Sequence, residues 1–160
     1  MSLAAQLLAK ATESGVMIAS AESCTGGMLA AALTDLPGSS VMFDRGFVTY
    51  TNAAKMDLLG VSAETLRTHG AVSEETADEM ATGALARSDA QIAVSITGIA
   101  GPGGSDHKPE GRVCFGLATA DKHTTATQEF GALGRDAVRV KARDHALALL
   151  LSAVMELPPK

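Results

Sequence analysis

Residues Ile92 to Ile96 form a nearly continuous apolar run, IAVSI. That is the pattern of a strand covered on both faces. A strand of this kind needs helices above and below it, so the chain is constrained toward a layered α/β architecture. The neighbouring segments supply the layers. Leu3, Leu7, Leu8 and Ala11 recur at helical spacing and Gly15 closes that helix. Val16 to Ala19 reads as a short strand, Met28 to Leu33 as a helix, Pro37-Gly38 as a turn and Phe43 to Thr51 as a strand. Asn52 is a suitable N-cap for a helix from Ala53 to Leu59, ended by Gly60.

Ser73 caps a longer helix with Glu74 and Glu75 in its first turn, and Ala77, Met80, Ala81, Ala84 and Leu85 form its apolar stripe. Val113 to Ala118 and Thr124 to Phe130 read as a hairpin around Asp121-Lys122. A final helix runs from about Arg135 to Met155 and stops before Pro158-Pro159. Strands and helices alternate first and a hairpin precedes the last helix. The order predicts a three-layer α/β/α domain with a mixed, mostly parallel sheet. With 160 residues, no internal repeat and no linker, residues 1–160 are expected to be one domain.

Charge and composition exclude several functions. The 13 Lys and Arg against 18 Asp and Glu give a formal net charge of −5, a poor basis for neutralising nucleic-acid phosphates. Cys24 and Cys114 are the only cysteines and lie far apart, which supports neither a metal site nor a disulfide framework. His69, His107, His123 and His145 are scattered, with no metal-ligand partner at i+4. The first fifteen residues read as an amphipathic helix rather than a signal peptide, and no apolar run is long enough for a bilayer. A soluble, cytoplasmic protein is expected.

The chemistry-bearing residues collect in a few short segments. Ser23 lies between a strand and a helix in Ala21-Glu22-Ser23-Cys24-Thr25-Gly26-Gly27, where open α/β sheets place ligands and nucleophiles. Gly26 and Gly27 let a substrate approach the backbone, and the N–H groups of a helix start can hold an anion or oxyanion. Taken alone, Ser23 or Thr25 reads more readily as a simple helix cap. Lys55 falls in the first turn of its helix, where the macrodipole opposes a cation. Partly desolvated there, it would have a lowered pKa and could act as a general base; the alternative is a solvated lysine. Tyr50, the only tyrosine, could relay a proton or donate to an oxyanion, or simply pack on the strand.

The loop Thr97-Gly98-Ile99-Ala100-Gly101-Pro102-Gly103-Gly104 lacks both the P-loop ending and the helix of a dinucleotide fingerprint. It could still cradle a phosphate or carboxamide with successive N–H groups. Ser105-Asp106-His107-Lys108 matches an S-x-x-K pattern, but it follows two glycines and precedes Pro109 rather than opening a helix, so it reads as coincidental. Arg135 and Arg139 share a face of the last helix, with Arg143 one turn on; they suit a phosphate monoester, or form a solvated basic face with Asp136 and Asp144.

Taken in order, AESCTGG at Ala21 to Gly27, Pro37-Gly38-Ser39-Ser40, Val48-Thr49-Tyr50-x-Asn52-x-x-Lys55, Gly70-Ala71-Val72-Ser73, TGIAGP at Thr97 to Pro102 and Lys108-Pro109 resemble the CinA C-terminal domain family in its stand-alone, PncC-type form. The likeness runs from about Ser20 to Arg143, and the two quoted strings are specific as a pair. Glu110 stands where the family usually has a hydrophobic residue, and Gly134 where it usually has Asp. The domain that precedes this one in full-length relatives is taken to be absent.

The resemblance implies a three-layer α/β/α amidohydrolase that converts nicotinamide mononucleotide to nicotinate mononucleotide and ammonia. Ser23 would be the nucleophile, Lys55 the base, and Tyr50 an aid to proton transfer, with no metal or other cofactor. The expected substrate-binding residues are Glu22, Thr25, Gly26, Gly27, Thr97, Gly98, Ala100, Gly101, Arg135 and Arg139. The expected partner is this small molecule, not nucleic acid or membrane, and the protein is expected to be a homo-oligomer. The alternative is a non-catalytic nucleotide- or protein-binding module linked to competence or DNA damage; the intact set Ser23, Tyr50 and Lys55 favours the enzyme.

Overall fold

In the computed structural model, residues 1–105 and 107–158 are described. Helix α1 (Leu3–Ser14) is capped by Ser2, whose hydroxyl accepts from the Ala5 N–H, and stops at Gly15 in the left-handed region. Strand β1 (Ile18–Glu22) leads to helix α2 (Met28–Thr34), then to strand β2 (Phe43–Val48) and helix α3 (Asn52–Leu59). Helices α4 (Ala63–His69) and α5 (Glu74–Ala86) precede strand β3 (Ile92–Gly98). The hairpin of β4 (Arg112–Ala118) and β5 (His123–Glu129) is followed by α6 (Arg135–Met155). The expected stop at Pro158-Pro159 agrees as far as Pro158; Pro159 lies outside the described residues.

Five strands form one sheet in the order β2-β1-β3-β4-β5. β1 runs parallel to both β2 and β3, while β3–β4 and β4–β5 are antiparallel pairs. Four strands therefore point the same way and β4 alone opposes them. Helices α1, α2 and α6 cover one face, and α5, flanked by α3 and α4, covers the other. β3 shows why both faces need cover. Ile92, Val94 and Ile96 join the core under α1, α2 and α6, whereas Ala93 packs with Met80 and Ala84 of α5. The Ser95 hydroxyl, also buried, donates to the Ala77 carbonyl of α5 at 2.5 Å.

Several element boundaries depart from the sequence expectations. β1 lies further along than Val16–Ala19, because its parallel register with β3 extends to Glu22 opposite Ile96. β2 ends at Val48 rather than Thr51, since the chain turns there toward α3. The cap of α3 is Thr51, whose hydroxyl accepts from the Ala54 N–H, and not Asn52. Helix α4 was not expected; Ser62 caps it, but it has no buried residue and so no apolar stripe to betray it. α3 sits close on α5 because Gly83 leaves room: a Cβ there would lie 2.0 Å from the Leu59 carbonyl oxygen.

This topology determines where a ligand could sit. The chain leaves β1 toward β2 and leaves β3 in the opposite direction, toward β4. Loops after two such neighbouring strands diverge and open a crevice at their carboxyl ends.

Candidate active site

Ser23 is the first residue beyond β1, in that crevice. Its N–H donates to the Ile96 carbonyl of β3 at 3.0 Å, so the nucleophile candidate is anchored to the sheet itself. Ser23 as a whole is 8% exposed, just inside the surface of the crevice. Gly26 and Gly27, at φ +57° and +105°, carry the chain through left-handed turns that a side chain would strain.

Lys55 comes from α3 and is 1% exposed. Its Nζ lies 2.9 Å from the Ser23 Oγ, 3.0 Å from the Thr49 carbonyl oxygen and 3.3 Å from the Tyr50 carbonyl oxygen. Burial is the main force on its pKa, driving it from an ordinary 10.5 to about 8; the neighbouring Cys24 thiol acts weakly the other way. That thiol is itself pushed up to about 11, chiefly by burial, and is uncharged near neutrality. The sequence argument attributed a lowered value to the helix dipole as well as to desolvation. Here Lys55 is the fourth residue of α3, and loss of water is the leading cause. An uncharged amine has two N–H donors and one lone pair. The ammonium form donates to the Ser23 Oγ, whose own hydroxyl points to the Tyr50 carbonyl at 3.5 Å. Once a proton is lost and the two remaining N–H groups stay on the peptide carbonyls, the lone pair would face the Ser23 hydroxyl. That is the geometry of a serine activated by a lysine base.

Other expected ligand contacts belong instead to the scaffold. Glu22 is fully buried; its Oε1 accepts from the Thr25 hydroxyl at 2.6 Å and the Leu29 N–H at 2.9 Å, and its Oε2 from the Ala30 N–H at 3.0 Å. It caps α2 from below and is not offered to a substrate, and the Thr25 hydroxyl is committed to it. The N–H groups at the helix start are therefore already used, correcting the idea that α2 holds an anion. Among the described residues, the backbone N–H groups of Thr25 and Gly27 have no hydrogen-bond partner, so the loop supplies the free donors instead. The Thr97 hydroxyl likewise turns inward, to the Ala71 carbonyl at 2.7 Å. Gly98 is needed for packing, as a Cβ there would meet Val113 at 2.7 Å.

Beyond Gly98, Ala100 is buried, whereas Gly101 turns its carbonyl toward α6. Arg135 donates to that carbonyl and to the Tyr50 hydroxyl, each at 2.8 Å. Tyr50 is 57% exposed, and this is the hydrogen bond its hydroxyl makes. Arg139 reaches under the nucleophile loop, donating to the Cys24 carbonyl at 3.0 Å and the Thr25 carbonyl at 3.4 Å. Arg143 turns to Asp144. The S-x-x-K stretch holds no nucleophile pair: the Lys108 ammonium donates to the His69 and Val72 carbonyls, each at 2.6 Å. Asp106 of that stretch lies outside the described residues. A cavity of about 490 Å³ lined by Glu74, Lys108, Arg112 and Cys114 contains neither Ser23 nor Lys55.

The comparisons agree with this architecture. The sequence profile of the CinA C-terminal domain matches residues 1–154. The chain belongs to the CinA C-terminal domain family. Within that family, the nicotinamide-nucleotide amidohydrolase PncC of Enterobacter agglomerans is 54% identical over 139 residues, covering 86% of this chain and 84% of the relative. The CinA-like protein of Chloroherpeton thalassium is 61% identical over 109 residues; these are 68% of this chain but only 26% of that longer protein. The crystal structure of competence/damage inducible protein CihA from Agrobacterium tumefaciens superposes with a TM-score of 0.92 at 48% identity, covering 96% of this chain and 94% of that one. The expected α/β architecture of the CinA fold is thus present.

Proposed function

We propose that this chain hydrolyses the carboxamide of nicotinamide mononucleotide, giving nicotinate mononucleotide and ammonia, with Ser23 as nucleophile and Lys55 as general base. The observation that carries the mechanism is the 2.9 Å contact between the Lys55 Nζ and the Ser23 Oγ, with the Thr49 and Tyr50 carbonyl oxygens as the other two partners of Nζ. The substrate follows from the Enterobacter amidohydrolase, which is alike over most of both chains.

The reaction runs in two halves. The Ser23 Oγ attacks the carboxamide carbon while its proton passes to the Lys55 Nζ. The negative oxygen that forms is held by the unengaged N–H groups of the nucleophile loop. Return of a proton to the amide nitrogen, aided by the Tyr50 hydroxyl, breaks the C–N bond and releases ammonia. The remaining ester on Ser23 is opened by water, activated by the same amine. This sequence calls for no metal or other cofactor. Arg135 keeps three of its five N–H donors beyond those used on Tyr50 and Gly101, and these suit the substrate phosphate. Arg139, held by two loop carbonyls, contributes positive charge from beneath.

No helix among the described residues is long and apolar enough to cross a membrane. The test is ammonia release from nicotinamide mononucleotide by the wild type, Ser23→Ala and Lys55→Ala, with and without EDTA. Activity lost in both variants and untouched by EDTA is expected. A folded wild type that releases no ammonia would favour a binding module instead.

A further inference from the structure

Arg135 does more at the mouth of the site than present positive charge. Tyr50 is the residue whose main chain receives Lys55, yet its phenol ring is largely in solvent and little packing holds it. The hydroxyl is gripped by one guanidinium, which also grips the Gly101 carbonyl. Arg135 thereby joins three segments at this mouth: the turn after β2, the glycine loop after β3, and the first residue of α6. A planar guanidinium bonded at two points has little freedom to swing, so the phenol oxygen inherits a defined position. The bond from Arg135 uses a lone pair of that oxygen and leaves the phenol's own proton available to donate.

We propose that Arg135 is the positioning residue for Tyr50: it sets the phenol where it assists the leaving ammonia, and so governs turnover as well as recognition of the phosphate. This rests on the amidohydrolase reading and on the part Tyr50 plays in it. A residue that only bound phosphate would act on KM. A residue that aims a proton donor acts on kcat, and only while the donor exists.

A double-mutant cycle separates these roles. Arg135→Ala and Tyr50→Phe are compared singly and together, with kcat and KM for nicotinamide mononucleotide measured in each; Arg135 is exposed at the helix start, so folding is preserved. Arg135→Ala should lower kcat about ten-fold or more, within the range that positioned proton donors supply. In the Tyr50→Phe background it should leave kcat unchanged while KM still rises. Equal losses of kcat in both backgrounds, or an effect on KM alone, would overturn the proposal.

A second readout needs no turnover. The chain has one Tyr and no Trp, so intrinsic fluorescence reports Tyr50 alone. Its anisotropy should decay faster in Arg135→Ala than in the wild type, with the exposed Lys141→Ala as control. No change there would refute the positioning role even if the wild type proved inactive on the nucleotide, a failure that would sink the substrate reading separately.

Discussion

The burial that fits Lys55 for the proposed role of base should also make it a burden on the fold. Its pKa falls from 10.5 to about 8 because the ammonium form has lost water. Each unit corresponds to about 1.36 kcal/mol, so keeping Lys55 charged in the folded state costs about 3 kcal/mol below pH 8. At 1% exposure there is little solvent to screen this. The sign follows from proton binding. Between pH 8 and 10.5 the unfolded chain carries the proton and the folded chain does not, so stability rises with pH across that window and the burden disappears by its upper end. Lys55→Met has a similar length and no charge. It also leaves the Thr49 and Tyr50 carbonyls without their donor, a loss of roughly 1 kcal/mol apiece that does not vary with pH. The variant should therefore be inactive, yet gain on the wild type at pH 7. That gain, about 1 kcal/mol, should turn into a deficit of about 2 kcal/mol as the pH climbs to 10.5, a swing of about 3 kcal/mol. Urea unfolding at 25 °C followed by circular dichroism measures it, in steps from pH 7 to 10.5. Parallel stability curves for the two proteins would show that Lys55 titrates like a surface lysine, and the general-base assignment would fall with them.

The same shift sets the rate profile: kcat/KM should rise about ten-fold per pH unit below pH 8 and level off above it, and a rise continuing toward 10.5 would contradict the site electrostatics. Glu22→Ala should cost on the order of 3 kcal/mol, because it strands the Leu29 and Ala30 N–H groups and the Thr25 hydroxyl; a melting temperature within about 2 °C of wild type would argue against the buried cap. His145, against Phe115 at a ring separation of 4.6 Å, has its pKa lowered by burial. Its stabilising contribution should be intact above about 6.5 and lost as the pH falls toward the lower folded value, a loss that His145→Leu should abolish in acid unfolding curves. Gly83→Ala should push α3 away from α5 through its 2.0 Å clash with Leu59, reducing both stability and turnover, since α3 carries Lys55.

The sequence made the layered fold legible because its signals were local and redundant: a two-sided apolar strand, glycine stops, and caps at Ser73 and Gly60. Residue type alone left Ser23 open as a helix cap and Lys55 as a solvated lysine; the family resemblance singled them out, and the fold brings their side chains to 2.9 Å. Helix α4 escaped because it buries nothing. Glu22, Thr25 and Thr97 misled because polar residues in a glycine-rich loop resemble site lining, and only the packing shows that their side chains point inward. The acceptors that hold Lys55 could not be read at all: they are main-chain oxygens, which every residue type possesses.

That last point bears on how such a site drifts over generations. Two of the three groups that hold the base belong to the peptide backbone, so no single codon change at positions 49 or 50, short of one that bends the chain, deletes them. The tuning of the amine therefore does not depend on which side chains stand at these two positions, whatever else those side chains do. Loss of that tuning is then more readily inherited through the path of the β2–α3 turn than through the side chains it displays.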